Sequence, residues 1–147
     1  MRLTRYTDYA MRVLIYLGAR SGQMCSIAEI ATGYGISQNH LMKVVSELAR
    51  EGYINSSRGK SGGIRLARPA EQINVGEVIR RMEGDFSLVD CENCIIAPAC
   101  GLNCALQEAV EAFLQVLDRY TLADFLVNQH HLSALLKLDM LPPVTKA

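Results

Sequence analysis

The chain has 147 residues, half of them hydrophobic and a fifth charged, with no Trp. That is enough apolar material to close a core, so a disordered chain is excluded, and the length suits one domain or a small domain with an appendage. No apolar run reaches the roughly 18–20 residues that span a bilayer, and the opening Met-Arg-Leu-Thr-Arg lacks the apolar stretch of a secretory leader, so a cytoplasmic protein without a membrane partner is expected.

The formal net charge of zero conceals two opposed halves. Residues 1–84 carry 12 Lys/Arg against 7 Asp/Glu, a net +5, whereas residues 85–147 carry 3 against 8, a net −5. A basic front suggests contact with a polyanion that the acidic back does not share.

Tyr9, Ala10, Val13, Leu14 and Leu17 recur at helical spacing and predict a first helix over about Thr4–Arg20, capped by Thr4 or Thr7 and closed at Ser21-Gly22. Ser26 followed by Glu29 has the form of a capping box and starts a short helix that stops at Gly33-Tyr34-Gly35. Ser37 then caps another, with Leu41, Val44, Val45 and Leu48 on its apolar side, ending at Glu51-Gly52. Two short helices joined by a Gly-containing turn form a helix-turn-helix pattern, which a plain helical hairpin also satisfies.

The next segment separates the two readings. Residues 53–57 and 63–67 alternate as strands, and between them runs Arg58-Gly59-Lys60-Ser61-Gly62-Gly63, a basic turn rich in Gly. A hairpin with such a tip, directly after a helix-turn-helix, is a winged helix. Gly59, Gly62 and Gly63 let the backbone approach a phosphate chain, Ser61 adds a hydroxyl, and Arg58 and Lys60 neutralise the charge. Base reading falls to the start of the second helix of the pair, where Ser37, Gln38, Asn39, His40 and Lys43 are polar; Asn and Gln can bond adenine edges bidentately. Taken alone, His40 reads more readily as a solvated side chain than as a phosphate contact.

Asn74 opens a short helix that Gly84 ends, and Leu106 to about Asp124 is predicted as a long helix with Val110, Phe113, Leu114, Leu117, Tyr120 and Leu122 on one face. The chain after Val127 reads as a brief tail ending in Pro142-Pro143, too short to cover that helix, so the helix is expected to pair with its copy in a homodimer. The fold class that results is mainly α with a small β-hairpin wing: a winged helix-turn-helix domain over 1–84, a cysteine-rich loop over 85–104, a dimerisation helix over 105–127 and a C-terminal tail over 128–147. Such a dimer presents two reading helices about one helical turn of DNA apart and predicts an inverted-repeat operator in double-stranded DNA.

Of five cysteines, Cys91, Cys94, Cys100 and Cys104 fall within 14 residues. In a reducing compartment such a cluster suits a metal or cofactor better than disulfides. Only one pair has Cys-x-x-Cys spacing and no His is near, which is a poor zinc pattern, whereas several thiolates on one irregular loop suit an iron–sulfur cluster. Zinc and redox thiols stay open. Cys25, alone beside a helix start, reads as a small buried residue. No catalytic Ser/His/Asp set, carboxylate pair or phosphate loop occurs, so an enzyme is not expected.

Tyr6-Thr7-Asp8-Tyr9-Ala10, the stretch Arg58–Leu66, the stretch Cys94–Cys100 and Tyr120-Thr121-Leu122-Ala123-Asp124 together resemble the winged-helix iron–sulfur transcriptional regulators, over Met1 to about Val127. The likeness is greatest to the nitric-oxide-sensing repressors of that family, with the regulators of cluster biogenesis as cousins. It implies a homodimeric repressor that binds its operator when it carries a cluster and releases it when nitric oxide attacks. It further implies a 4Fe–4S cluster (2Fe–2S as the alternative) held by Cys91, Cys94, Cys100 and Asp8 of the partner subunit. Asp8 also reads as an ordinary first-turn acid that favours the helix dipole. Two departures bear on this: Cys91 and Cys94 stand closer together than is usual in the family, and Cys104 is extra, roughly where the cousins place a His ligand. An all-thiolate site including Cys104 is the alternative. Two further readings stay open: the same DNA-binding module sensing cluster supply or redox stress, and a small cluster-bearing redox protein.

Overall fold

A computed structural model describes residues 1–140. Its helices are α1 (Arg5–Ala19), α2 (Ile27–Tyr34), α3 (Gln38–Arg50), α4 (Val75–Glu83), α5 (Leu102–Leu117) and α6 (Gln129–Leu135); strands β1 (Ile54–Ser57) and β2 (Gly63–Leu66) lie between α3 and α4. This is the mainly helical winged architecture expected from the sequence.

Local chemistry sets most boundaries. The side chains of Thr4, Ser26 and Asn74 accept hydrogen bonds from Thr7 N, Glu29 N and Glu77 N, so α1, α2 and α4 each start on a satisfied cap. Ser37 precedes α3 but makes no side-chain cap. The hairpin pairs antiparallel with Ile54 opposite Leu66 and Ser57 opposite Gly63. Cys25 adds a third short rung, its N–H donating to Ile64 O at 2.9 Å and its carbonyl accepting from Ile64 N at 2.8 Å. Gly63 permits this approach, because its φ is +151° and a Cβ there would lie 2.6 Å from Cys25 O.

The main core gathers Val13, Leu14 and Leu17 of α1, Ile30, Leu41, Val44, Leu48, Tyr53, Ile64, Ile73 and Val78, all essentially buried. A smaller core, Val75, Ile79 and Leu114 with Phe86, Val110, Phe113 and Leu117 around it, joins α5 to α4.

Two expectations change. The long helix is predicted over about Leu106–Asp124 but runs Leu102–Leu117, which draws Cys104 into its first turn. It stops because Thr121 and Asp124 form a reciprocal capping pair for a separate 3-10 turn, Leu122–Phe125, and because Asn74 and Thr121 bridge as extended backbone. Leu122 therefore enters the main core. The segment after Val127, predicted as a brief tail, carries α6 and a 3-10 turn: Gln129 Nε2 donates to Ala19 O at 2.9 Å and Leu138 is buried. The Pro142-Pro143 tail lies outside the described residues. Among these, no helix is long and apolar enough to cross a membrane.

Candidate nucleic-acid interface and cysteine loop

Helix α3 buries Leu41, Val44, Val45 and Leu48 and turns the rest outward. Ser37, Gln38, Asn39, His40 and Lys43 are all exposed, together with Met42, Ser46 and Arg50, which sequence patterning alone does not single out. The helix is held from behind, since Tyr6 Oη donates to Lys43 O at 3.2 Å. At the wing, Arg58, Gly59, Lys60 and Ser61 are exposed and Gly62 and Gly63 half-buried; Gly62 N closes the tip on Gly59 O at 3.0 Å. A Cβ at Gly62 would collide with Ser57 O, so the tip needs Gly there. Each predicted contact residue thus lies on an accessible part of either α3 or the wing.

The cysteine segment is held by its own turns: Cys94 N donates to Cys91 O at 3.4 Å, Ala97 N to Cys94 O at 3.1 Å and Cys100 N to Ala97 O at 3.3 Å. All four thiols are free, Cys91 and Cys100 half-buried, Cys94 and Cys104 exposed. Ile95 and Ile96 beside them are 95% and 60% exposed, so no core covers the loop. The structure brings the thiols onto one segment without gathering them around a point: among the described residues no three His, Cys, Asp or Glu side chains stand where they could hold a metal ion. As a donor set, four accessible thiols, three on the loop and Cys104 on the first turn of α5, with no His among them, fit a thiophilic iron centre. Cys25, by contrast, is fully buried, and burial pushes its thiol up to about 12, which makes it inert as a ligand.

Asp8 lies in the first turn of α1, half exposed. Arg12 meets it twice, Nε donating to Oδ1 and Nη2 standing by Oδ2, both at 3.0 Å. The Arg12 guanidinium in turn sits 5.8 Å from the centre of the Tyr34 ring, whose hydroxyl donates to Arg12 O at 2.9 Å. Asp8 is thereby tied toward the turn between α2 and α3.

Sequence reasoning also missed Glu83. Its carboxylate accepts from Thr4 N at 3.1 Å, from Thr4 Oγ1 at 3.0 Å and from Thr7 Oγ1 in a short contact. The last residue of α4, directly before Gly84 and the cysteine segment, thus holds the first turn of α1, where Asp8 sits. In the same last turn of α4, Arg80 grips Asp118 with both terminal nitrogens, Nη2 reaching Oδ2 at 2.7 Å, and these hydrogen bonds hold the Asp118 carboxyl below its ordinary range.

The model of the Rrf2 family, described as iron-dependent transcriptional regulators, matches residues 3–128. Over 142 residues, 92% of this chain and 99% of the relative, the sequence is 51% identical to the HTH-type transcriptional regulator NsrR of Bacillus licheniformis. It is 49% identical to NsrR of Bacillus subtilis over 144 residues, 94% of this chain and 99% of that one. Among solved structures, IscR of T. potens aligns with a TM-score of 0.71 at 27% identity, covering 86% of each chain. With similarity running through helix-turn-helix, wing, loop and α5 alike, the chain belongs to the Rrf2 family of transcriptional regulators and is not an enzyme.

Proposed function

We propose that the protein is a homodimeric repressor that binds an inverted-repeat operator and carries an iron–sulfur cluster through which nitric oxide relieves repression. The observation that carries this reading is the set of four accessible thiols on residues 91–104, next to a helix with an unpartnered face. On α5, Leu102, Ala105, Ala109, Ala112 and Val116 recur at spacings of three and four and are all exposed. Small residues in such a stripe let a second copy of α5 approach closely, and the apolar area favours burial. In this division residues 1–84 read DNA, 85–104 hold the cluster and 105–127 include the dimer face; the described part of 128–147 packs back on the winged unit.

Arg58 and Lys60 neutralise phosphates while Gly59, Ser61, Gly62 and Gly63 keep the wing tip slim; Ser37, Gln38, Asn39, His40 and Lys43 face the major groove. Cys91, Cys94 and Cys100 hold the cluster, 4Fe–4S in this reading, with the partner subunit's Asp8 as fourth ligand. When bound, the cluster supplies the iron that nitric oxide attacks. A carboxylate is a hard, readily displaced ligand to such iron. Because Asp8 is tied through Arg12 and Tyr34 to the α2–α3 turn, its ligation of a cluster on the partner's loop would fix the reading head, and without that ligation the half-site spacing would be free.

One observation favours a second arrangement: Asp8 is engaged by Arg12, whereas Cys104 stands exposed on the first turn of α5. An all-thiolate set including Cys104, in a 4Fe–4S or 2Fe–2S cluster, then answers to cluster supply or redox stress. Anaerobic purification tests both, with visible absorption and operator binding measured before and after nitric oxide. A coloured dimer that releases DNA on nitric oxide supports the proposal, and a colourless protein with stoichiometric zinc overturns it. An Asp8→Ala variant that keeps both cluster and release assigns the fourth position to Cys104.

A further inference from the structure

The outward face of α3 carries one residue out of character. Met42 is 52% exposed, and between Arg2 and Ser87 it is the only large apolar side chain exposed to a comparable degree. Every other apolar residue of α3 is buried or half-buried, so Met42 is not surplus core. It stands at helical spacing between Asn39 and Ser46, next to Lys43, with Arg50 one further turn along. The acid nearest this stripe, Glu47, is half-buried and paired with Arg50, which leaves the stripe basic and polar around a single apolar point. Its direction is fixed, because Tyr6 holds the adjacent Lys43 carbonyl and Leu41 and Val44 are locked in the core on either side.

A basic stripe selects a polyanion, and in the major groove the one apolar feature on a base edge is the thymine C5-methyl group. The methionine thioether is unbranched and polarizable, so it can follow that methyl without demanding one rotamer. We infer that Met42 is a specificity-determining residue that reads a thymine methyl in each half-site. The inference rests on the proposal that α3 reads operator DNA and adds to it which base edge this position selects. Asn39 and Gln38 supply hydrogen bonds to neighbouring base edges; Met42 supplies the apolar contact that distinguishes thymine from the other three bases.

The test removes each side of the contact in turn. A duplex is selected by the purified dimer from a randomised pool, and each of its thymines is then replaced singly by uracil, which lacks only the methyl. One buried methyl is worth ~0.8 kcal/mol, about a fourfold change in affinity. Wild type should lose about fourfold at one thymine per half-site and little elsewhere. Met42→Ala should bind the all-thymine duplex about fourfold more weakly and be indifferent to uracil at that same position, while retaining its sensitivity to salt. The residue is exposed and Ala is a strong helix former, so far-ultraviolet circular dichroism of the variant should match wild type. If wild type selects a duplex but no thymine matters, or if Met42→Ala responds to uracil as wild type does, the inference is overturned while α3 remains the reader. If no duplex is enriched at all, the proposal that this chain reads operator DNA fails, and the inference with it.

Discussion

Replacing Glu83 with Ala removes the acceptor for three donors on the first turn of α1: Thr4 N, Thr4 Oγ1 and Thr7 Oγ1. Hydrogen bonds to a charged acceptor contribute ~1.5–3 kcal/mol each when solvent is excluded, and much less where water can substitute. Thr4 is exposed, so its two donors turn to water at small cost. Thr7 is fully buried and retains only Thr4 Oγ1, 3.1 Å away, as a partner. Loss of the carboxylate near the helix N-terminus adds ~0.5 kcal/mol. The sum is about 2–3 kcal/mol of destabilisation, with Glu83→Gln, which keeps the shape and loses the charge, costing about 1 kcal/mol. Urea unfolding monitored by circular dichroism measures both, and hydrogen exchange at the Asp8 amide, which donates to Thr4 O at 3.0 Å, reports whether the loss is local. A Glu83→Ala variant within 0.5 kcal/mol of wild type, as an order-of-magnitude bound for a surface change, or one whose Asp8 amide exchanges no faster, would refute the idea that α4 holds down the start of α1.

Burial separates Cys25 from the four thiols of residues 91–104, so alkylation of the folded, metal-free protein at pH 8 followed by mass spectrometry should show four labels, and five only after denaturation; five in the folded protein contradict its placement in the core. Burial also pushes Cys25, Tyr16 and Tyr34 up to about 12, from 9.0 for the thiol and 10.0 for the phenols. Their folded-state values lie above the unfolded ones, so the contribution is fully present below pH 9 and is lost as pH rises toward 12. Thermal stability should accordingly stay level through neutral pH and fall steeply above about pH 10, and a flat profile to pH 12 would show these groups to be solvated.

The winged unit was legible because its signals are local. Thr4, Ser26 and Asn74 precede helices whose amides they cap, Gly35 and Gly84 follow helices they end, and the alternation around the basic turn requires a hairpin. The end of α5 was not, because a continuous apolar period runs past Asp118 and masks the Thr121–Asp124 cap, while the bridge from Asn74 to Thr121 joins residues 47 apart. Helix α6 escaped for a related reason. It is seated on α1, more than a hundred residues back: Gln129 Nε2 donates to Ala19 O, and Leu126, just ahead of α6, fills a hollow over Gly18 where a Cβ would lie 2.5 Å away; a sequence displays neither. At the site, residue types announce chemistry while partners stay hidden: four clustered Cys point to thiophilic ligation, but nothing near Thr4 or Thr7 indicates that their acceptor is Glu83. Met42 was missed because an apolar residue inside an apolar helical period reads as core until its exposure is known.

Helix α4 ties these parts into one mechanical unit. Nine residues at 1.5 Å each make a rod about 13 Å long, its start fixed to the end of α5 and its end fixed to the start of α1. The first junction has no slack: a Cβ at Gly76 would collide with the Asp118 carboxylate and lie 2.9 Å from its backbone N, while Asn74 Nδ2 donates to Asp118 O at 2.7 Å and Val75 N to Tyr120 O at 3.0 Å. The second is the Glu83 clasp. A displacement of α5 is therefore carried through α4 into α1, and from Tyr6 and Tyr34 into α3 and the turn before it, without an intervening joint. Beyond Phe86, which packs on the smaller core, the segment up to Leu102 is the exception, since local turns hold it and Leu88, Ile95 and Ile96 are exposed. In the proposed dimer, the paired α5 helices would consequently set where the two reading helices stand, and a change in what the thiols hold would act on half-site spacing before it altered either reading surface.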